Sequence, residues 1–228
     1  MASTNILKLP SSGAEDKELL SEIVLKSKES LMQGNVIAVP TDTIYGVAAL
    51  AQSTQAVDKM YDIKQRHKEK AVSICVGTID DVKKWGKVSV NDDLLNDLLP
   101  GPVTLIFKRV DDLNPELNPT HDSIGIRIPL CPFIQNLAKA CQQPLALTSA
   151  NISSARSTLK IKEFEEIWPK LDIIVDGGTL SNSEQSRSGS TIVDLSSPGQ
   201  FSIVRDGCSY DRVISILEGK HKLRNCSG

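Results

Sequence analysis

Short apolar runs, each stopped by proline, glycine or a polar cluster, recur through this chain and set the limits on its fold. Residues 36–39 end at Pro40, residues 103–107 follow Pro100-Gly101-Pro102, and residues 124–128 end at Pro129. Residues 71–76, 145–148, 173–175, 191–195 and 201–204 have the same character. Runs this short, bounded by such breakers, read as buried strands. Helical stretches fall between many of them. Leu20, Val24 and Leu31 share a stripe in residues 15–33, with Leu19 and Ile23 beside it and Gly34 as the stop. Val57, Met60 and Tyr61 are spaced for a helix over 54–64. Thr78 and Asp81 form a capping box ahead of a short helix through Trp85, and a helix through Leu94, Leu95, Leu98 and Leu99 stops at Pro100. Residues 132–141, 160–168 and 211–218 read as further helices. Strands alternate with helices, but not strictly, which predicts an α/β fold: a twisted mixed sheet with flanking helices.

The 228 residues suffice for one domain with a sizeable core. No linker or repeat divides them, so a single domain is expected over 15–218, between a loose tail at 1–14 and a polar tail at 219–228. With a net charge of −2, no global positive field draws the protein to nucleic acid or acidic membranes, so any anion site is local. Five cysteines, an odd number with no C-x-x-C spacing, and three unpaired histidines indicate neither a disulfide framework nor zinc, nor a Ser-His-Asp hydrolase. No stretch approaches the roughly 18 apolar residues of a membrane span. Residues 1–17 lack the apolar run of a secretory signal and the arginines of a mitochondrial presequence. The default address is the cytoplasm, with a mitochondrial pool left open to another start site.

Three constellations follow predicted elements. Pro40-Thr41-Asp42-Thr43-Ile44-Tyr45-Gly46 places two hydroxyls and a carboxylate at a strand's end, where open α/β sheets bind ligands. The same residues also suit a turn that satisfies its own backbone. Lys64, Arg66, Lys68 and Lys70 recur with a period of two and share one face if extended, a row suited to polyphosphate or, equally, a solvated connector. Thr148-Ser149-Ala150-Asn151-Ile152-Ser153-Ser154, with Arg156, Ser157 and Thr158 beyond, is either a phosphate cradle or a polar surface loop. Neither a P-loop nor a G-x-G-x-x-G fingerprint occurs. Arg127 interrupts an apolar strand and needs an anion partner, internal or bound. Arg205 precedes a turn. Arg187 sits in the Ser/Gly-rich loop 177–189, where mobility is expected, and Ser190-Thr191 close that loop.

In order, Pro-Thr-Asp-Thr-Ile-Tyr-Gly at 40–46, Lys-x-Arg at 64–66, Leu-Pro-Gly-Pro-Val-Thr at 99–104, Ile-Arg-Ile-Pro at 126–129, Thr-Ser-Ala-Asn at 148–151, Gly-Ser-Thr-Ile-Val-Asp at 189–194 and Arg-x-Gly at 205–207 resemble the YrdC family of threonylcarbamoyl-AMP synthases. Gln65 stands where that family usually has Gly, and Ala71-Val72 where it has Pro-Leu. The resemblance implies the short, single-domain form, with a wide, positively lined concave cavity. It implies synthesis of threonylcarbamoyl-AMP from L-threonine, bicarbonate and ATP with release of pyrophosphate. It assigns catalysis to Lys64 and Arg66, and ATP to Lys64, Arg66, Lys70, Ser149, Asn151, Ser157 and Arg205. Threonine and its carbamate fall to Thr43, Ser123, Arg127, Thr148 and Ser190. Mg²⁺ is expected with the ATP phosphates, its protein ligands unknown and Asp42 the guess. The product feeds a transferase complex that modifies tRNA beside the anticodon. Two alternatives stay open: a double-stranded RNA or tRNA binding module, and a carbamoyl-adenylating relative.

Overall fold

The computed structural model describes residues 5–10, 16–65, 70–152 and 155–226. Its first half runs β1 (Asn5–Lys8), α1 (Asp16–Met32), β2 (Ile37–Val39), β3 (Gly46–Leu50), α2 (Thr54–Lys64), β4 (Ser73–Cys75), α3 (Ile79–Trp85), β5 (Gly86–Lys87) and α4 (Asp92–Leu98). The second half runs β6 (Val103–Arg109), β7 (Ser123–Arg127), α5 (Pro132–Cys141), β8 (Leu145–Ser149), β9 (Ile173–Asp176), β10 (Thr191–Asp194), β11 (Gln200–Arg205), α6 (Tyr210–Ile214) and β12 (Arg224–Asn225). The strands join one mixed sheet in the order β1-β9-β2-β3-β8-β4-β7-β6-β10-β11-β12, with β5 paired to β6.

Local chemistry sets most of these boundaries. Ser53 caps α2 by accepting from the Ala56 amide, and Thr78 caps α3 by accepting from Asp81 N at 3.2 Å while donating to the Asp81 carboxylate at 2.7 Å. Asn91 caps α4 by accepting from Leu94 N at 2.9 Å. The two faces of the sheet bury separate cores. One gathers residues such as Val47, Met60, Ile74, Leu95, Phe107, Ile126 and Val193 under α2, α3 and α4. The other packs Ile23, Val24 and Leu31 of α1 and Phe133, Ile134 and Leu137 of α5 onto Leu50, Cys75 and Leu145.

Two expectations need correction, one strand has no counterpart in the sequence reading, and one helix is of a different type. The stretch read as a loose tail contains β1, an edge strand paired in parallel with β9. It is mostly exposed, so no apolar pattern marks it. The polar tail read over 219–228 begins inside a wide helical turn, Ser215–Lys220, and contains β12 on β11. Asp97 holds this segment by accepting from Lys220 Nζ and His221 Nε2, each at 2.7 Å. Strand β3, all five residues buried, was not read at all, because the small residues of Gly-Val-Ala-Ala-Leu favour no strand until β2 and β8 pair with them. Residues 161–170 form a 3₁₀ helix broken at Phe164, not a regular α-helix, and Pro169 lies near its end.

Candidate active site

One rung of the sheet runs from the interior into a cavity of about 200 Å³. Register aligns Leu50 with Leu145, Leu145 with Cys75, and Cys75 with Arg127. Across β7 and β6 the Leu105–Ile126 pair sets Arg127 opposite Thr104, and Thr104 is aligned with Ile192. Residues opposite one another project from the same face. Leu50, Cys75 and Leu145 lie beneath α1 and α5. Arg127, Thr104 and Ile192 continue the rung as cavity lining, joined by Thr41, Ser73, Thr148, Ser149, Ser190 and Arg205. Two glycines keep the floor low. A Cβ on Gly46 would come within 2.7 Å of Leu147, and one on Gly125 within 2.8 Å of Ser73 Oγ.

The loop between β2 and β3 answers what a buried arginine needs. Asp42 accepts from Arg127 Nη2 with one oxygen and from Leu130 N, at 2.9 Å, with the other. The two side chains are 10% and 8% exposed. Thr43 Oγ1 also accepts from Arg127 Nη2, at 3.0 Å. Arg127 Nε is buried and has no partner among the described residues. Thr41 serves the turn itself, donating to Ile44 O at 2.7 Å and accepting from Thr43 N and Ile44 N. Buried Tyr45 then fastens the loop to the far strand: its hydroxyl donates to Gly178 O at 2.7 Å and accepts from Gly177 N at 2.9 Å. Burial, and then the charge of Asp176, push this phenol well above its ordinary range.

On the opposite wall Arg205 donates from Nε and Nη2 to Ser190 O, at 3.0 and 2.8 Å, and from Nη2 to Ser190 Oγ at 2.9 Å. The residue as a whole is exposed, but its guanidinium is tucked onto Ser190. Desolvation, and then the neighbouring Arg127 cation, press its pKa below the usual guanidinium value. At the end of β8, Lys64 Nζ donates to Ser149 O from a side chain that is almost wholly buried. Asn151 Nδ2 donates to Ile152 O and Ala155 O, at 2.8 and 2.6 Å, which orients its buried Oδ1 as an acceptor without a partner among the described residues.

Of the residues singled out in the sequence, Arg127, Thr148, Ser149, Ser190 and Arg205 line the cavity, while Thr43 and Lys64 brace it from behind. Ser123 sits at the start of β7, four residues from Arg127 and outside the lining. Lys70 is exposed just before β4. Arg66 and Lys68 lie outside the described residues. The cation row does not begin as an extended strip: Lys64 is the last residue of α2, and Gln65 turns the chain with a left-handed backbone, φ 48°. Ser157 O accepts from Arg187 Nη1 at 2.5 Å, and the same guanidinium forks onto Glu163 at 2.7 and 2.9 Å. The Arg187 side chain, placed by sequence in a loop expected to be mobile, is 15% exposed and paired with Glu163 in this structure. In the described structure the two oxygens of Asp42 are directed at Arg127 and Leu130 N. No group of three His, Cys, Asp or Glu side chains converges as a metal site among the described residues. Sequence reasoning gave no role to Ser73 and Thr104, although Thr104 closes the Leu-Pro-Gly-Pro-Val-Thr segment.

A family model for Sua5/YciO/YrdC proteins, described as telomere recombination, matches residues 29–207. The chain belongs to this family. As a Sua5/YciO/YrdC protein it is 43% identical to the threonylcarbamoyl-AMP synthase of Homo sapiens over 225 residues, which is 96% of this chain and 81% of the human one. The Bos taurus protein of the same name is 44% identical over 220 residues, 93% of this chain and 80% of that one. Among solved structures, Pyrococcus abyssi Sua5 complexed with L-threonine superposes with a TM-score of 0.79 at 23% identity. That match covers 97% of this chain but 62% of the archaeal one, and at this identity it establishes the fold. No helix among the described residues is long and apolar enough to cross a membrane.

Proposed function

We propose that this protein is a threonylcarbamoyl-AMP synthase, acting on L-threonine, bicarbonate and ATP. The observation that carries the reading is a guanidinium fixed at a cavity floor with a buried nitrogen lacking a partner among the described residues. Arg127 is braced by Asp42 and Thr43 and bordered by the hydroxyls of Thr104 and Ser190. Such a group suits a carboxylate. The near full-length similarity to synthases of that name supports the choice of reaction.

Threonine's amine and bicarbonate combine to a carbamate with loss of water. A carbamate oxygen then attacks the α-phosphorus of ATP, the bond to the bridging oxygen breaks, and pyrophosphate leaves. Both partners are anions, so the barrier is charge repulsion and lost freedom, which fixed cations and positioning lower. In this reading Arg127, Thr43, Thr148 and Ser190 serve the amino acid and its carbamate, while Ser123 lies outside the cavity lining. Lys64, Arg66, Lys70, Ser149, Asn151, Ser157 and Arg205 serve the nucleotide. Mg²⁺ enters with the substrate as Mg·ATP. The product passes to a transferase that modifies tRNA, and a cytoplasmic address goes with that role.

Pyrophosphate release measured with ATP, bicarbonate and each amino acid in turn tests the reading. Release should depend on threonine, and turnover indifferent to it would reject the proposal. Lys64→Ala should lower kcat/KM by the equivalent of ~2–4 kcal/mol, the loss typical of one preorganised charge-stabilising group.

A further inference from the structure

The sheet brings one more hydroxyl into the cavity than the site motifs account for. Thr104 is 3% exposed, lines the hollow, and stands directly across from Arg127. Its Oγ1 lies 2.9 Å from Ser190 Oγ. Ser190 Oγ accepts from Arg205 Nη2 at the same distance, because a guanidinium has donors and no acceptor. The two hydroxyls own one hydrogen each, and the bond between them uses one. Neither oxygen has a further acceptor within reach among the described residues, so one hydroxyl hydrogen is left to point into the cavity. A donor buried this way calls for an acceptor. The groups around it are the cations Arg127 and Arg205, so the acceptor that fits is an anionic oxygen. Gly125 beside it carries no side chain, and a Cβ there would crowd Ser73 Oγ at 2.8 Å and Thr104 Cγ2 at 3.1 Å.

We infer that Thr104 is a substrate-binding residue, which with Ser190 donates a hydrogen bond to a carboxylate-type group held by Arg127. The inference rests on the proposed function and names a contact within that site. Two groups of this chemistry occur in the reaction, the carboxylate of the amino acid and the carbamate that bicarbonate forms on its nitrogen.

The test compares Thr104→Val, which keeps the shape and loses the hydroxyl, with Thr104→Ser, which keeps the hydroxyl. KM for threonine, bicarbonate and ATP is read by pyrophosphate release, and threonine binding without bicarbonate or ATP is read by calorimetry. The valine variant should raise KM for threonine or bicarbonate by about tenfold or more, the scale of one hydrogen bond to a charged group. KM for ATP should stay within twofold, and serine should restore the loss. Weakened binding of threonine alone identifies the amino-acid carboxylate as the partner. Normal threonine binding with a raised KM for bicarbonate identifies the carbamate. Unchanged KM values for both would overturn the inference. So would an equal rise for ATP, which would place Thr104 in the service of Arg205, or failure of serine to rescue. If the valine variant does not fold, Thr104→Ala against Thr104→Ser makes the same comparison. A wild-type protein without threonine-dependent turnover would instead defeat the proposed function.

Discussion

Asp42 and Arg127 lie 85 residues apart in the chain and form the ion pair on which the cavity floor depends. A charged guanidinium in an apolar strand loses its water on folding, and a carboxylate that also accepts from Leu130 N restores much of that loss. Removing one member of a buried pair costs more than the pair contributes, because the other charge stays behind. Asp42→Ala should therefore lower unfolding stability by about 3 kcal/mol, the lower end of the usual range because Arg127 borders a cavity. Urea denaturation measures it. A loss below ~1 kcal/mol would show that the guanidinium is solvated from the cavity side. The sequence required an anion partner for Arg127 and could not say which, since that choice was made by the fold.

At the scale of elements, α2 shows how one residue sets a loop's path. Its last residue, Lys64, points inward to Ser149, and Gln65 ends the helix in the left-handed region, with its amide donating to Asp62 O. A side chain there costs roughly 1–2 kcal/mol of backbone strain that glycine avoids, partly offset by glycine's extra freedom when unfolded. Gln65→Gly should thus stabilise the protein by about 0.5–1 kcal/mol, read as a higher melting temperature. A drop in melting temperature would mean that Gln65 makes contacts outweighing the strain. Elements with strong periodicity or caps were legible in sequence: α2 falls where the apolar spacing put it, α5 matches the helix read over 132–141, and α3 starts just after its capping threonine. Strand β3 was not, because Ala-Ala carries no strand signal and its five buried residues are held by neighbours on both sides.

Across the whole molecule, the segment after β9 is tied down at both ends. Tyr45 holds its start, and Arg187 holds its end by forking onto Glu163. The hydrogen bond from Arg187, ahead of that from the Leu159 amide, draws the Glu163 carboxyl down from 4.5 to about 2. A carboxyl whose folded pKa is depressed stabilises the fold fully above its unfolded value and loses that contribution as pH falls through the folded one. Wild type should therefore be more stable than Glu163→Gln at neutral pH, and the gap should close between about pH 4.5 and pH 2. The pair is partly exposed, so solvent screening limits the gap to about 1 kcal/mol. Denaturation of both proteins across that range checks it, and a gap that persists at pH 2 would remove Arg187 as the cause.

By itself the sequence determined the mixed α/β class, most helices and strands, and the segments that carry the site. These are written in local periodicity, in breakers and in residue types whose chemistry is distinctive. Only the tertiary structure decided that Asp42 serves Arg127, that Arg187 reaches Glu163, and that Thr104 faces Arg127 across two strands. Such facts depend on strand register and on which face of the sheet a side chain leaves from, and both are fixed by pairing between segments far apart in the chain.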